Sequence, residues 1–405
     1  MRIVLTGARL CRNLGGPSLL VTTTRVIDQF VRGTEYTFIS PTSEDLLLAG
    51  TYDVRVVPAP SIKEILPAAL ARTLLGLSCG SQQVREVVDA FANADVIIDI
   101  WGIAFADSLG SNTLSGRAAA GGHLLVGKLF RKPVVKYTAD LGPFECRWNR
   151  LFARLYLQHA VDLILVRSDV TRRRLSELGV TTPTKLCPDT AFLLEPEASP
   201  CAEALSKQKV DSHLVGFSVS HMTARQSGSP DRYLHTMAGL ADHIAEKTGA
   251  RVVLIPNELS DDVAYDDARI AEWVWHRMTR KAQAIVLSGE HTAPQLKGII
   301  GQCDALVAAR YHSIVASLSQ AIPVLAIGWH DKYVGLLSLV GQERYLCPAQ
   351  GLDLHDSTEK FDDLWQTRHR IREEISDALP KIRAEILKGG EAVAALCGQR
   401  SNGAP

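Results

Sequence analysis

Short apolar runs alternate along the first half of the chain with longer segments whose apolar residues recur at helical spacing. Several of these runs are apolar on both faces, as strands that are covered by helices on two sides must be. Strands separated by helices in this way predict a doubly wound, mostly parallel α/β sheet. The predicted strands are RIVLTG (2–7), YTFIS (36–40), VRVVPA (54–59), DVIIDI (95–100), PVVKYT (133–138), DLILVR (162–167) and, more weakly, TKLCPD (184–189).

The alternation stops over residues 198–212, which are largely polar, and it resumes afterwards. We therefore predict a linker there between two Rossmann-like domains, 1–197 and 213–355. Residues 356–405 have the spacing of a long amphipathic helical tail, which Pro380 should break. The strands predicted for the second domain are HLVGFSVS (213–220), RVVLIPN (251–257), AIVLSG (284–289), DALVAAR (304–310) and PVLAIG (323–328).

The charge balance disfavours a general nucleic-acid-binding protein. Lys and Arg together number 44, as do Asp and Glu, whereas nucleic-acid-binding proteins usually carry a basic excess. The eight cysteines include no C-x-x-C pair, which argues against a zinc site or a disulfide framework. The acids of PNELSDDVAYDD (256–267) fit the start of a helix better than a metal site, and no metal is predicted.

The N-terminal residues MRIVLTGARLCRNLGG lack the features of a signal peptide. No apolar run approaches the roughly 20 residues that a transmembrane helix needs. Scattered cysteines without a disulfide pattern fit a reducing compartment. We predict a cytoplasmic protein, and peripheral contact with the inner membrane and homo-oligomerisation stay open.

Basic and titratable residues follow the last two predicted strands. Arg310 ends DALVAAR, His312 lies at the start of the next helix, and Lys332 ends the loop WHDK after PVLAIG. Ligands of such sheets bind at the carboxyl ends of the strands, where helix N-termini favour anions. The three side chains should therefore converge on a site for a compact dianion such as a phosphate ester. Ser220 and His221, which follow the first strand of this domain, are predicted to contact the same ligand.

The segment RYHSIVASLSQAIPVLAIGWHDK (310–332) resembles the C-terminal signature of the polysaccharide pyruvyl transferase family. That signature runs as Arg-x-His, a helix of small residues, Gly/Ala-x-Pro, an apolar strand, an aromatic residue and Lys. Other segments are similar to the family as well, so the resemblance spans both predicted domains. They are KYTADLGPF (136–144), LVRSDVTRRRLSELGV (165–180) and CPDTAFLL (187–194).

This resemblance implies a GT-B-like arrangement and an enzyme that transfers the enolpyruvyl group of phosphoenolpyruvate to a sugar diol of a glycan or glycan precursor. The products would be a cyclic pyruvate ketal and phosphate, and no other cofactor is implied. His312 would protonate the methylene carbon as the general acid, since histidine exchanges protons near neutral pH. Arg310 and Lys332 would bind the donor, and Arg167, in the arginine position of the family, would complete the clamp.

The acceptor side departs from the family pattern. Family members often carry Asn-x-Gly-Asp near the start, and the NLGG of this chain keeps Asn13 and Gly15 but not the acid. The family's glycine run after the fourth strand appears here as DIWGIAFAD, in which Gly102 and Asp107 match. We predict that Asn13, Gly15, Trp101 and Asp107 contact the acceptor, with Trp101 stacking on a sugar ring. A lipid-linked acceptor stays open.

Two other functions are compatible with these residues. A GT-B glycosyltransferase that uses a nucleotide sugar would need an acid for the ribose after a late strand, and Asp331 is the candidate. A catalytically inactive carbohydrate-binding homologue would account for the altered N-terminal loops. It would not need Arg310, His312 and Lys332 together.

Overall fold

The computed structural model describes residues 1–11, 14–107, 114–209, 212–260, 262 and 266–401. The chain divides into two compact units, each built on a parallel sheet. The first unit contains residues 1–11, 19–190 and 384–405, and the second contains 12–18 and 191–383. Two parallel sheets flanked by helices confirm the predicted fold class.

The sheet of the first unit is parallel, in the order β3-β2-β1-β4-β6-β7-β8, with the short strand β5 paired to β6. Leu5 of the central strand lies opposite Phe38 on one side and Ile98 on the other, and all three are buried. Its strands are β1 (Arg2–Thr6), β2 (Glu35–Ser40), β3 (Arg55–Pro58), β4 (Val96–Asp99), β5 (Ile103–Ala104), β6 (Val134–Leu141), β7 (Leu163–Val166) and β8 (Thr184–Leu186).

Successive residues of these strands point to opposite faces, so each face of the sheet has its own core. One core contains Val4 and Ile97, and the other contains Ile3 and Leu5 together with Val393 from the last helix of the chain. The helices before residue 190 are α1 (Gly15–Asp28), α2 (Ile62–Leu75), α3 (Gln82–Asn93), α4 (Leu114–Leu129), α5 (Arg147–His159) and α6 (Asp169–Leu178).

The sheet of the second unit is also parallel, in the order β11-β10-β9-β12-β13-β14. Leu306 of β12 lies opposite Gly216 of β9 and Val324 of β13, which makes β12 and β13 neighbours as the sequence predicts. The strands are β9 (Leu214–Ser218), β10 (Arg251–Leu254), β11 (Ala284–Val286), β12 (Ala305–Ala308), β13 (Val324–Gly328) and β14 (Leu346–Pro348). The later helices are α7 (Pro200–Lys209), α8 (His221–Gln226), α9 (Pro230–Thr248), α10 (Asp267–Arg277), α11 (Ala293–Ile300), α12 (Tyr311–Leu318), α13 (Lys332–Ser338) and α14 (Leu354–Ser401).

Pro380 does not break the C-terminal helix, contrary to the prediction. α14 runs without interruption from Leu354 to Ser401. A proline removes one helical N–H donor, and here its exposed position is flanked by Ile375 and Ile382, which are buried. The packing of this apolar stripe holds the helix together across the proline.

The unit boundaries differ from the predicted ones. The N-terminal part of the first unit ends at Thr190 rather than at residue 197. The same unit also includes residues 384–405, which were predicted to belong to a separate tail. Most of the predicted linker 198–212 is helix α7, whose Ala202 and Leu205 are buried. No helix in the described part of the chain is long and apolar enough to cross a membrane.

Candidate functional site

Arg310 lies two residues after β12, at the N-cap of α12, and its side chain contacts two acids of the same unit. Its Nε donates to Asp267 Oδ2 at 2.7 Å and its Nη2 donates to Asp267 Oδ1 at 2.6 Å. Its Nη1 lies 2.7 Å from Glu258 Oε2. Asp267 thus holds the guanidinium with both oxygens, and Glu258 occupies the remaining nitrogen. Burial alone would lower the pKa of Arg310, but the carboxylates of Asp267 and Glu258 raise it.

Asp267 is the first residue of α10 and has no exposed surface. Its carboxylate also accepts hydrogen bonds from the backbone N–H groups of His221, at 2.9 Å, and Glu258, at 3.0 Å. Burial alone would raise the pKa of Asp267, but the charge of Arg310 and the hydrogen bonds from His221 and Arg310 lower it to about 2. The acid is therefore ionised throughout the neutral range, and it anchors Arg310 at the end of β12.

His221, the first residue of α8, joins the same cluster. Its Nδ1 lies 2.8 Å from Arg310 Nη2 and 3.2 Å from Asp267 Oδ1. A guanidinium can only donate, so the contact with Arg310 requires a bare Nδ1, whereas the contact with Asp267 requires a protonated one. His221 Nδ1 can therefore form only one of these two hydrogen bonds at a time. Which one it forms depends on whether Nδ1 carries a proton. Ser220 is buried and caps α8, its Oγ accepting from Thr223 N at 3.2 Å.

Lys332 begins α13, which follows β13. Its ammonium lies 4.8 Å from the ring centre of Trp329, 5.3 Å from that of Tyr333 and 5.4 Å from that of Tyr311. The faces of aromatic rings attract cations, so these rings hold the charge in place. The ring of His312 meets Tyr311 edge to face at 5.5 Å. Lys332 and His312 thus contact the same tyrosine.

Gly15 packs directly against His312, and both belong to the second unit. A Cβ atom at Gly15 would lie 2.3 Å from His312 Nδ1 and 2.5 Å from Cε1, far inside van der Waals contact. Only glycine fits this position while the imidazole keeps its orientation. Gly15, predicted to contact the acceptor, is therefore a positioning residue for His312 in the structure. Asn13, the other predicted residue of NLGG, lies outside the described residues.

His312 also lines a small pocket with Asn257 and Lys297, neither of which the sequence singled out. Lys297 belongs to α11 and is 3% exposed, and its Nζ donates to the carbonyl of Phe192 at 3.4 Å. Burial lowers the pKa of Lys297 to about 8, although the charge of Glu195 opposes the shift. The sequence signal was a lysine inside the mostly apolar helix APQLKGII.

Arg167 follows β7 in the first unit and is 3% exposed. Its Nη2 lies 2.7 Å from Asp189 Oδ2, and its Nη1 lies 3.7 Å from Asp140 Oδ2. Gly102 approaches so closely that a Cβ there would lie 2.3 Å from Arg167 Nη2. These contacts hold the arginine within the interior of its own unit, and its role in donor binding stays a prediction.

Trp101 and Asp107 follow β4 in the first unit. The backbone N–H of Trp101 donates to Asp99 at 2.8 Å, and the buried Lys136 forms a 2.7 Å ion pair with the same carboxylate. Asp107 accepts hydrogen bonds from the N–H groups of residues 145 and 146 and from the amide of Asn149, at the start of α5. In the structure, Asp107 is a helix cap, and acceptor binding by these two residues stays a prediction.

The structure groups the predicted residues into three sets. Arg310 meets His221 in the acid cluster, Lys332 and His312 meet at Tyr311, and Gly15 packs on His312. Of the remaining predicted residues that the structure describes, Ser220 belongs to the second unit, whereas Arg167, Trp101 and Asp107 belong to the first. Within the described ranges, no group of three or more His, Cys, Asp or Glu side chains is arranged to hold a metal ion.

Comparisons with known proteins agree with this picture. Residues 30–331 match the family model described as Polysaccharide pyruvyl transferase. The amylovoran biosynthesis protein AmsJ of Erwinia amylovora is 20% identical over 422 residues, which cover 96% of this chain and 99% of AmsJ. The match to the family model begins at residue 30 and ends at Asp331, so Gly15 and Lys332 lie outside it.

Two solved structures share the fold at low identity. HepE of Anabaena, in complex with UDP and glucose, has a TM-score of 0.64 and 14% identity, covering 98% of this chain and 100% of HepE. A putative UDP-N-acetylglucosamine 2-epimerase of Listeria monocytogenes has a TM-score of 0.65 and 11% identity, covering 100% of this chain and 97% of the epimerase. These likenesses confirm the predicted GT-B-like fold.

Proposed function

We propose a function from one established premise: this chain belongs to the polysaccharide pyruvyl transferase family. It is a transferase, and we propose that it moves the enolpyruvyl group of phosphoenolpyruvate onto a sugar diol of a polysaccharide or its precursor. The main observation that supports this proposal is that Lys332 and His312 both contact Tyr311, after the ends of neighbouring strands. An anionic donor bound there would have a cation and a proton donor within reach.

The proposed reaction forms two C–O bonds at C2 of the donor. The first sugar hydroxyl attacks C2 while His312 protonates the C3 methylene, which becomes the methyl group. The second hydroxyl then attacks C2 as the C2–O bond to phosphate breaks, and the phosphate leaves beside the ammonium of Lys332. One hydroxyl proton restores His312, and the other leaves with the phosphate. The product is the cyclic ketal.

In this proposal, Arg310 binds the donor with one nitrogen only, because its other nitrogens are held by Asp267. Asp267 is fully buried, whereas the Glu258 side chain is 26% exposed and contacts only the outer nitrogen of Arg310. A donor anion would therefore displace Glu258 and bind Nη1, while Asp267 keeps the guanidinium in place. When the carboxylate of the donor is the group that replaces Glu258, the charge in contact with Nη1 is unchanged, which limits the electrostatic cost of binding.

The test is phosphate release from phosphoenolpyruvate by the purified full chain with a panel of sugar diols, together with mass spectrometry of the acceptor. We expect phosphate release that depends on a diol and an acceptor mass raised by one ketal. Nucleotide sugars, the donors in the competing glycosyltransferase hypothesis, serve as the comparison. Sugar transfer from a nucleotide sugar without any ketal from phosphoenolpyruvate would reject the proposal.

Replacing Gly15 with alanine should impair the reaction while leaving the fold intact. The new methyl group would overlap the imidazole of His312, which must rotate away from its present position. A displacement of about 1 Å at a reacting group can cost roughly 100-fold in rate, and we expect a loss of that order. Phosphate release and the melting temperature are the two measurements.

The matched control for this change is Gly50→Ala, because no atom lies within 4 Å of a Cβ at Gly50. The control should retain the wild-type rate. An equal loss of rate in both variants, or a wild-type rate in Gly15→Ala, would show that the contact with His312 does not position the imidazole.

A further inference from the structure

Helix α5 of the first unit carries large apolar side chains on its outer face. Trp148 is 68% exposed, and Leu151 and Leu155 are each 49% exposed. They are spaced three and four residues apart, so they form one stripe along the helix. A tryptophan with two thirds of its surface in water is uncommon, because this side chain is normally highly buried.

Three arginines lie beside this stripe. Arg147, Arg150 and Arg154 precede the three apolar residues by one position each and are exposed. The helix sequence RWNRLFARLYLQH contains no acidic residue, although the chain as a whole has equal numbers of acids and bases. In the described part of the chain, none of the three arginines forms an ion pair within 4 Å. The outer face of α5 is therefore both apolar and strongly basic.

The opposite face of α5 fixes the helix in the first unit. Asn149, Ala153 and Leu157 have no exposed surface, and Asp107 accepts hydrogen bonds from the first turn. The stripe is consequently presented on a rigid support that needs no ordering when a partner binds.

We propose that the outer face of α5 docks the protein on an anionic lipid surface. Moving tryptophan and leucine side chains from water to the boundary between headgroups and acyl chains is favourable. Arginine pairs with anionic headgroups at the same depth. A second copy of the chain fits this face poorly, because a twofold contact through α5 would oppose arginines to arginines. A nucleic acid would pair with the arginines but would leave the leucines without an apolar partner. This docking is independent of the chemistry proposed for the second unit.

The experiment is flotation of the full chain with two kinds of vesicle. One kind is phosphatidylcholine alone, and the other contains about 30% phosphatidylglycerol as the anionic lipid. We expect binding to the anionic vesicles, weakened by salt, and a blue shift of tryptophan fluorescence that Trp148→Phe removes. The triple variant Arg147→Gln, Arg150→Gln and Arg154→Gln should bind roughly 100-fold more weakly.

The charge-matched control replaces three exposed arginines elsewhere, Arg32→Gln, Arg232→Gln and Arg372→Gln. It should retain wild-type binding and an unchanged melting temperature. An equal loss in both triple variants, equal binding to neutral vesicles, or self-association in place of vesicle binding would overturn the proposal. Binding of the full chain to duplex DNA with the same affinity as to anionic vesicles would also overturn it, because the apolar stripe would then contribute nothing.

Discussion

His312→Asn should lower kcat for phosphate release by roughly 100- to 10,000-fold, the range in which a positioned general acid contributes to catalysis. Asparagine occupies similar space next to Gly15 and Tyr311 and can donate a hydrogen bond, but it cannot transfer a proton to carbon. Binding of the donor should therefore change little, and KM should stay near its wild-type value. Initial rates over a range of phosphoenolpyruvate concentrations separate the two constants.

The control for this variant is His355→Asn, since the side chain of His355 is 82% exposed at the start of α14. It should turn over at the wild-type rate. A rise in KM at unchanged kcat in His312→Asn would instead assign His312 to binding of the donor anion. Near-normal values of both constants would remove His312 from the mechanism.

Asp267→Asn should destabilise the second unit by roughly 3 to 5 kcal/mol, because it leaves the buried part of Arg310 with a neutral partner that turns an N–H toward another donor. Thermal unfolding should show a melting temperature lower by roughly 10 °C. The stabilisation from Asp267 is present above its ordinary pKa of 3.8 and is lost as the pH falls toward about 2. The difference between the wild type and the variant should therefore shrink as the pH is lowered through that window.

Asp231→Asn provides the matched comparison in the same unit. Asp231 is 72% exposed and its ion pair with Arg277 lies at the surface, so this change should cost less than about 1 kcal/mol. If Asp267→Asn lowered the melting temperature no more than Asp231→Asn, the buried pair would not support the fold. If Asp267→Asn retained wild-type KM for the donor, Asp267 would not be needed to place Arg310.

The strands of both sheets could be predicted from the sequence because a strand buried on two faces is a continuous apolar run. β5 and β14, of two and three residues, were missed. The placement of Arg310 and Lys332 followed from strand order, because β12 and β13 are consecutive in the chain and adjacent in the sheet. Adjacency of this kind is common for strands joined by one helix.

The partners of those residues could not be predicted. Asp267 lies 43 positions from Arg310, and only the folded positions of β9, β10 and the start of α10 select it from the neighbouring acids. The burial of Lys297 could not be predicted, because the long aliphatic side chain of a lysine usually places its ammonium group in water. Gly15 and His312 are far apart in the sequence, and no local pattern indicates that they are in contact.

Neither unit is continuous in sequence, and this shapes how the protein can fold during synthesis. One core of the first unit includes Ala392 and Val393, and Gly390 packs against Val26 and Phe30 near the start of the chain. A ribosome that has completed the first half of the chain has therefore supplied all eight strands of this sheet but not the helical turns that cover one of its faces. Until Ala392 and Val393 emerge, that apolar face must stay exposed or be shielded by a chaperone. The first unit to begin folding therefore cannot be completed before the whole second unit has been translated.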